Sequence, residues 1–521
     1  MDNGPLRHAV SPSNTAWSSC NCQNNGSGNK EPRRLCQSFD DCCSVCTKLE
    51  VLNSRISKLK AALEESLHER DGLRSRLNNA HPSIVDRMPL EVASIVFDFF
   101  ATGRDSPLVL GAVCQRWRRI AWSIPQLWMT FELRIEGEEV TENLVQLAKD
   151  WLARSGGLPL FIFLHVQHIR RDTNRNFSQL FSLIDLVNEY SDRWHKLSVW
   201  LPRCLLARLN HKSSVSSLKT LRLCSFDEES LDIDTLAGVA PSKLSVHGFW
   251  FNARSFNWTN VGNFNSSLIY IDQLIETLRL APKLLSCIFD SLCLRGDVPP
   301  AVPFRPLEHP HRRSLELEIG KMGMAPILST VDLPNLRKLH LRGYFDEVAT
   351  DELSYFFRRS ANKLEDLSIT GYSLSGDDLV QITKYTPLLR SLNLGDIDHN
   401  DNLSSFYHAM AATSNDELPA NTVSFLTHLQ SFRWQTFSGV PWDLIALLLP
   451  RRDQNGRCLG RPLNCIQVSC NRTDENENPV PYVPTLILEQ FSQYLEDIEF
   501  EFEVDFDEGT KDLWALSLNM V

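Results

Sequence analysis

Residues 336–395 read LRKLHLRGYFDEVATDELSYFFRRSANKLEDLSITGYSLSGDDLVQITKYTPLLRSLNLG, and three apolar triplets punctuate them: Leu336, Leu339 and Leu341; Leu364, Leu367 and Ile369; Leu389, Leu392 and Leu394. Each triplet has the spacing L-x-x-L-x-L. Its last two members lie two apart, the period of a strand that buries one face. The triplets start 28 and 25 residues apart, a length that holds one strand and one helix before the pattern returns.

The same spacing occurs upstream at Trp194, Leu197 and Val199 and at Leu218, Leu221 and Leu223, with looser copies at Leu429, Phe432 and Trp434, at Leu463, Ile466 and Val468, and at Leu495, Ile498 and Phe500. These are strands of leucine-rich-repeat type. Residues 132–521 are therefore expected to form an irregular leucine-rich-repeat-like α/β solenoid, in which stacked parallel strands supply a long binding surface. A compact α/β domain without repeat character is the alternative. An ordinary repeat places Asn or Cys three residues after its last leucine, where the side chain satisfies buried backbone groups. Here that position holds Phe226, Tyr344, Tyr372 and Ile397, so the array is expected to be irregular, with insertions near 247–270, 296–312 and 398–422. Pro299, Pro300, Pro303 and Pro306 stiffen one of them.

At the end of the chain Ile498, Phe500, Phe502, Val504 and Phe506 alternate with Glu499, Glu501, Glu503, Asp505 and Asp507. One face of that strand is buried and the other acidic. The acidic face either receives a basic ligand or keeps a terminal edge strand from pairing with other chains. At the front of the region, Leu144, Leu147, Ala148, Trp151 and Leu152 mark an amphipathic helix ended by Gly156 and Gly157, and Leu160 to Val166 reads as a buried strand.

The N-terminal part divides differently. Residues 1–45 are rich in Ser, Asn, Gly and Cys without apolar periodicity and read as a disordered tail. Cys20, Cys22, Cys36, Cys42, Cys43 and Cys46 cluster there, but only Cys43 and Cys46 give a clean C-x-x-C, so free thiols are expected over zinc. In residues 46–80, Leu49, Leu52, Ile56, Leu59 and Leu63 recur at steps of three and four and resume at Leu73 and Leu77, with Ser66 and Arg70 interrupting the seam. Such a helix either lies on its own protein or forms a dimeric coiled coil.

Residues 81–131 read as a compact helical cluster. Pro89 suits a first helical turn, Glu91 favours it electrostatically, and Val92, Ile95, Val96, Phe99 and Phe100 share one face. Ser106 and Pro107 cap a second helix bearing Leu110, Val113, Cys114, Trp117, Ile120 and Ala121. Ile124 precedes Pro125, so the chain should leave the helix just beyond Trp122.

The runs DRMPLEVASIVFDFF (86–100) and LVLGAVCQRWRRIAWSIPQLW (108–128) resemble the F-box, whose pattern is Leu-Pro, an acidic residue, an apolar helix and Val-Cys-x-x-Trp. Met88 stands where Leu is usual, a change that conserves volume and apolarity. The flanks KDWLARSGGLPLFIFL (149–164) and SDRWHKLSVWLP (191–202) are similar to stretches that follow the motif in the F-box proteins expanded in fungi. The resemblance runs from about residue 46 to 202 and is architectural beyond. It implies docking to a Skp-type adaptor and, through it, to the cullin and RING subunits of an SCF-type ubiquitin ligase. Carried over by residue, the adaptor-binding set is Pro89, Val92, Ile95, Val96, Leu110, Val113, Cys114 and Trp117, some of which must pack the cluster itself.

The net charge of −11 opposes a general grip on a phosphate backbone. No apolar run reaches the length of a membrane span and no export signal opens the chain, so neither nucleic acid nor membrane is an expected partner, and cytoplasm or nucleus is the expected compartment. Walker, dinucleotide, G-x-S-x-G and H-E-x-x-H motifs are lacking. His165 with His168 and His309 with His311 have no companions at metal-ligand spacing and read as structural or solvated. No catalytic residue, cofactor or metal is assigned. The chain reads as a non-enzymatic substrate adaptor binding an unidentified protein, or else as a ligase-independent interaction scaffold, dimeric through its coil.

Overall fold

The computed structural model describes residues 44–80, 88–101, 106–136, 140–167, 178–212, 217–226, 230–231, 236–295, 306–319, 325–347, 350–395, 403–412, 425–436, 439–452, 458–459, 461–471, 480–506 and 509–518. The chain divides into two units, residues 1–93 and 94–521.

In the first unit, helix α1 (Ser44–Ala80) runs without a break. Its seam residues Leu49, Leu52, Ile56, Leu59, Leu63, Leu73 and Leu77 are all exposed. Five of the six clustered cysteines lie outside the described residues, as does the Cys46 side chain. Helix α2 (Leu90–Ala101) crosses the division between the units.

The second unit is built on one large sheet whose strands follow one another in chain order from Thr130–Glu136 to Gly509–Asp512. Every neighbouring pair on this path is parallel except the last. Parallel neighbours cannot be joined by a tight turn. Crossover segments, many of them helical, therefore return the chain after each strand, and successive helices Ala325–Thr330, Thr350–Ser360, Gly376–Thr383 and Ser404–Ala412 touch one another along the array. The architecture is mixed α/β.

Register explains why the leucine spacing works. Leu197, Leu221, Leu244, Phe264, Cys287, Leu315, Leu339, Leu367, Leu392, Phe432 and Ile466 stand side by side on consecutive strands and all are buried. Residues one place on face the other way and are mostly polar: Ser198, Arg222, Ser245, Asn265, Glu316, His340, Ser368 and Asn393. One face of the sheet is thus core and the other an outward surface.

Three expectations need correction: the segment 247–270, the frame of the last triplet and the edge position of the last strand. The segment 247–270 is not an insertion, because Asn263–Ser266 is a strand of the main sheet. Its inner face carries Phe264 and a buried Ser266 rather than leucines, which hides it from an L-x-x-L-x-L reading. Within 398–422 lies helix Ser404–Ala412, whose Phe406, Tyr407 and Met410 are fully buried. In the third insertion Leu307–Glu308 pairs with Val331–Asp332; Pro299, Pro300 and Pro303 lie outside the described residues. The last triplet is out of frame by two, since Ile466 pairs with Phe500 and Val468 with Phe502 while Leu495 is exposed. Nor is the acidic strand Glu499–Phe506 an edge: Gly509–Asp512 pairs antiparallel with it. Gly156, at φ +59°, follows helix Glu142–Arg154 in the left-handed conformation that glycine adopts most readily.

Candidate functional site

Two surfaces stand out. The first is the helical cluster that opens the second unit. Helix α3 (Pro107–Val113) starts at Ser106, whose hydroxyl accepts from Leu108 N at 3.3 Å. It stops at Cys114, which is fully extended (φ −158°, ψ 171°) and whose Sγ accepts from Trp117 N at 3.5 Å, capping helix α4 (Gln115–Ser123). Arg118 Nε donates to Gly111 O at 2.8 Å and ties the two helices together. Below them, Trp128 Nε1 donates to Ala121 O at 2.9 Å, and the Arg154 guanidinium lies over Trp122 and Trp128, 4.6 and 4.9 Å from the ring centres.

The break at Cys114 changes which side chains face inward. Phe97, Leu110, Ile120 and Ala121 are buried, and the Phe97 and Trp117 rings meet at 5.1 Å. Ile95 is 70% exposed, and Val96, Phe99, Val109 and Val113 are exposed with it. Of the eight residues singled out by sequence, Pro89 and Val92 are exposed in the first unit, and Ile95, Val96 and Val113 are exposed in the second. Leu110 is core, Cys114 is a half-buried cap, and Trp117 is half-buried against Phe97. Val109 is not among the residues singled out by sequence, and Phe99, read on the apolar face of the first helix, is not in the adaptor-binding set. Val109 lies four residues before Val113, so once α3 is known to end at Val113 the two share its outer side.

The second surface is the outward face of the sheet. Towards its N-terminal strands it is aromatic: His165 stacks on Trp200 at 4.5 Å and Trp200 on Phe226 at 4.8 Å, and the Lys196 amine stands over Phe163 at 4.8 Å. Farther along, a cavity of about 590 Å³ is lined by Asp290, Glu316, Glu318, His340, Arg342 and Arg433 among others. Arg342 bonds Glu318 at 3.1 Å and His340 approaches Asp366 at 3.5 Å. Burial and the neighbouring Glu318 and Glu316 push the Asp290 carboxyl up, whereas Asp366, although burial opposes its charge, is held below the usual range by His340 and Lys338. Phe226, at the turn position expected to hold Asn, is exposed on its stack. Tyr372, at the equivalent turn, is buried and its Oη donates to Arg342 O at 3.1 Å, so a tyrosine satisfies the carbonyl there. The Tyr344 side chain and Ile397 lie outside the described residues.

The histidine pairs separate. Besides stacking on Trp200, His165 has a lowered pKa, through burial first and Arg134 second; His168 lies outside the described residues. His309 is buried with Nε2 2.9 Å from Ala281 O, while His311 is exposed. Among the described residues no group of three or more His, Cys, Asp or Glu side chains is placed to hold a metal, and no helix is long and apolar enough to cross a membrane.

Compared with known proteins, the chain matches no family model and no curated sequence.

Proposed function

We propose that the chain is the substrate-recognition adaptor of an SCF-type ubiquitin ligase. In this reading the helical cluster is an F-box that docks a Skp-type adaptor, and through it cullin and RING subunits. The sheet with its crossover helices is an irregular leucine-rich-repeat-like solenoid whose outward face takes a protein substrate, and the protein works in cytoplasm or nucleus. The observation that carries the reading is the exposure of Ile95, Val96 and Val113 on a cluster that Phe97, Leu110 and Trp117 already hold together. Exposed apolar side chains on a cluster whose core is already filled fit a protein interface. No reacting atom need belong to this chain: holding substrate beside a charged ubiquitin carrier turns a bimolecular encounter into a nearly intramolecular one.

Co-purification of the full chain with a Skp-type adaptor tests this. Capture by the wild type, and its loss in Ile95→Asp with Val113→Asp at unchanged far-ultraviolet circular dichroism, supports the reading; failure of the wild type to capture the adaptor overturns it. The exposed seam of α1 favours a second reading, a ligase-independent scaffold dimeric through the coil. Sedimentation of a dimer that dissociates with Leu59→Lys, together with no adaptor capture, would select it.

A further inference from the structure

At the N-terminal ends of the strands the stacking lines up equivalent residues in two rows. Leu285, Arg313, Arg337 and Glu365 form the inner row: Arg313 N donates to Leu285 O, Arg337 N to Arg313 O and Glu365 N to Arg337 O, each at 2.8 Å. Outside it run His311, Asn335 and Lys363, each two residues before its inner-row neighbour. These rows enclose a pocket of about 370 Å³ lined by Leu285, Pro310, His311, Arg313, Asn335, Arg337 and Lys363. Two arginines, a lysine and a histidine thus line the cavity, with Glu365 paired to Arg337 beside it, in a chain whose net charge is −11.

We propose that this pocket binds a multiply charged oxyanion, phosphate in the first instance, free or as a monoester. Its volume falls within the range of about 300–1,000 Å³ usual for small-ligand sites. Adjacent strands lie about 4.8 Å apart, a spacing that lets two guanidinium groups donate to different oxygens of one tetrahedral anion. The donors are also partly fixed in place. Arg337 is held by Glu365 at 3.0 Å, and Lys363 Nζ by Asn335 Oδ1 at 2.5 Å, while Asn335 Nδ2 donates to Pro310 O at 2.8 Å. Arg313 lines the same pocket at an exposed position. Glu365 offsets one of the three positive charges, and a bound anion relieves the repulsion among those that remain. The site is independent of the ligase reading, since it lies at a strand end remote in sequence from the helical cluster.

Titration of the full chain with inorganic phosphate in chloride buffer at constant ionic strength, followed by calorimetry, tests it. The expected result is saturable binding of one equivalent, weakened about a hundredfold or more in Arg313→Gln with Arg337→Gln, because two charge-assisted bonds are lost. Arg254→Gln, an exposed arginine elsewhere, leaves binding unchanged. Should the double variant not fold, Lys363→Gln with His311→Gln, both at exposed positions, takes its place. Equal responses in wild type and pocket variants, or an equal response to acetate, overturn the proposal. Displacement of phosphate by O-phosphoserine assigns the site to an ester, and failure to displace it assigns the site to the free anion.

Discussion

The ring of Tyr372 lies so close over Gly343 that a β-carbon at Gly343 would fall 2.4 Å from it. Tyr372 is buried and anchored by its hydroxyl to Arg342 O, so it cannot swing aside. Beside it Gly371, at φ +70°, brings its α-carbon so close that a β-carbon would fall 2.2 Å from Gly343 O. Gly343→Ala should therefore destabilise the sheet by about 1–3 kcal/mol through overpacking, read as a lowered urea midpoint at unchanged slope. Tyr372→Phe, which loses only the hydroxyl's bond, should cost about 0.5–1.5 kcal/mol. Additive effects of the two changes would show that steric fit and hydrogen bond act separately.

Core and surface of the helical cluster should separate in the same assay. Phe97→Ala removes a fully buried ring from its contact with Trp117 and should cost about 3–5 kcal/mol of the cluster's local stability. Ile95→Asp, at a position 70% exposed, should stay within about 0.5 kcal/mol of wild type. Amide exchange across residues 106–123 would report both, and equal protection losses would refute the division between inner and outer faces.

His247 supplies a pH dependence. Burial first, and the neighbouring Arg222 second, lower its pKa from 6.5 to about 4. Because the folded chain binds this proton more weakly than the unfolded one, the associated stability is fully present above about pH 6.5 and is lost as pH falls toward 4. Burial pushes His165 and His309 the same way. Urea midpoints measured from pH 7 to 4.5 should fall, and fall less steeply in His247→Gln. An identical slope in that variant would mean other groups carry the effect.

How much of this was legible in advance depended on which side chains fill the core face. Where leucine or isoleucine occupies it, as at Leu339 and Leu341 or Leu392 and Leu394, strand, frame and burial all follow from spacing. Where Phe264 is followed by Ser266, or Cys287 by Phe289, the strand is equally buried but the pattern is lost. The final frame slipped because Ile498 is buried just ahead of its strand. For the helical cluster, helical spacing predicted an apolar stripe, but the break at Cys114 decided which members turned outward. The paired rows at the strand ends became visible only once the register aligned His311 with Asn335 and Lys363.

Arg312 poses the sharpest energetic question in the fold. Its side chain is completely buried, and among the described residues none of its three guanidinium nitrogens has a hydrogen-bond partner of good geometry, the Cys287 thiol being the polar group set against it. The nearby Cys287 thiol registers its charge: burial raises the thiol's pKa, and Arg312 works against that rise without cancelling it. An unpaired buried cation loses its hydration without an equal return, so replacement by an apolar side chain of similar length should remove a cost and leave the volume filled. Arg312→Met is expected to stabilise the protein by about 1–4 kcal/mol, seen as a higher melting temperature. Arg312→Ala would leave a cavity and gain less or nothing. A drop in stability for Arg312→Met at neutral pH would instead show that the guanidinium has a real counter-charge.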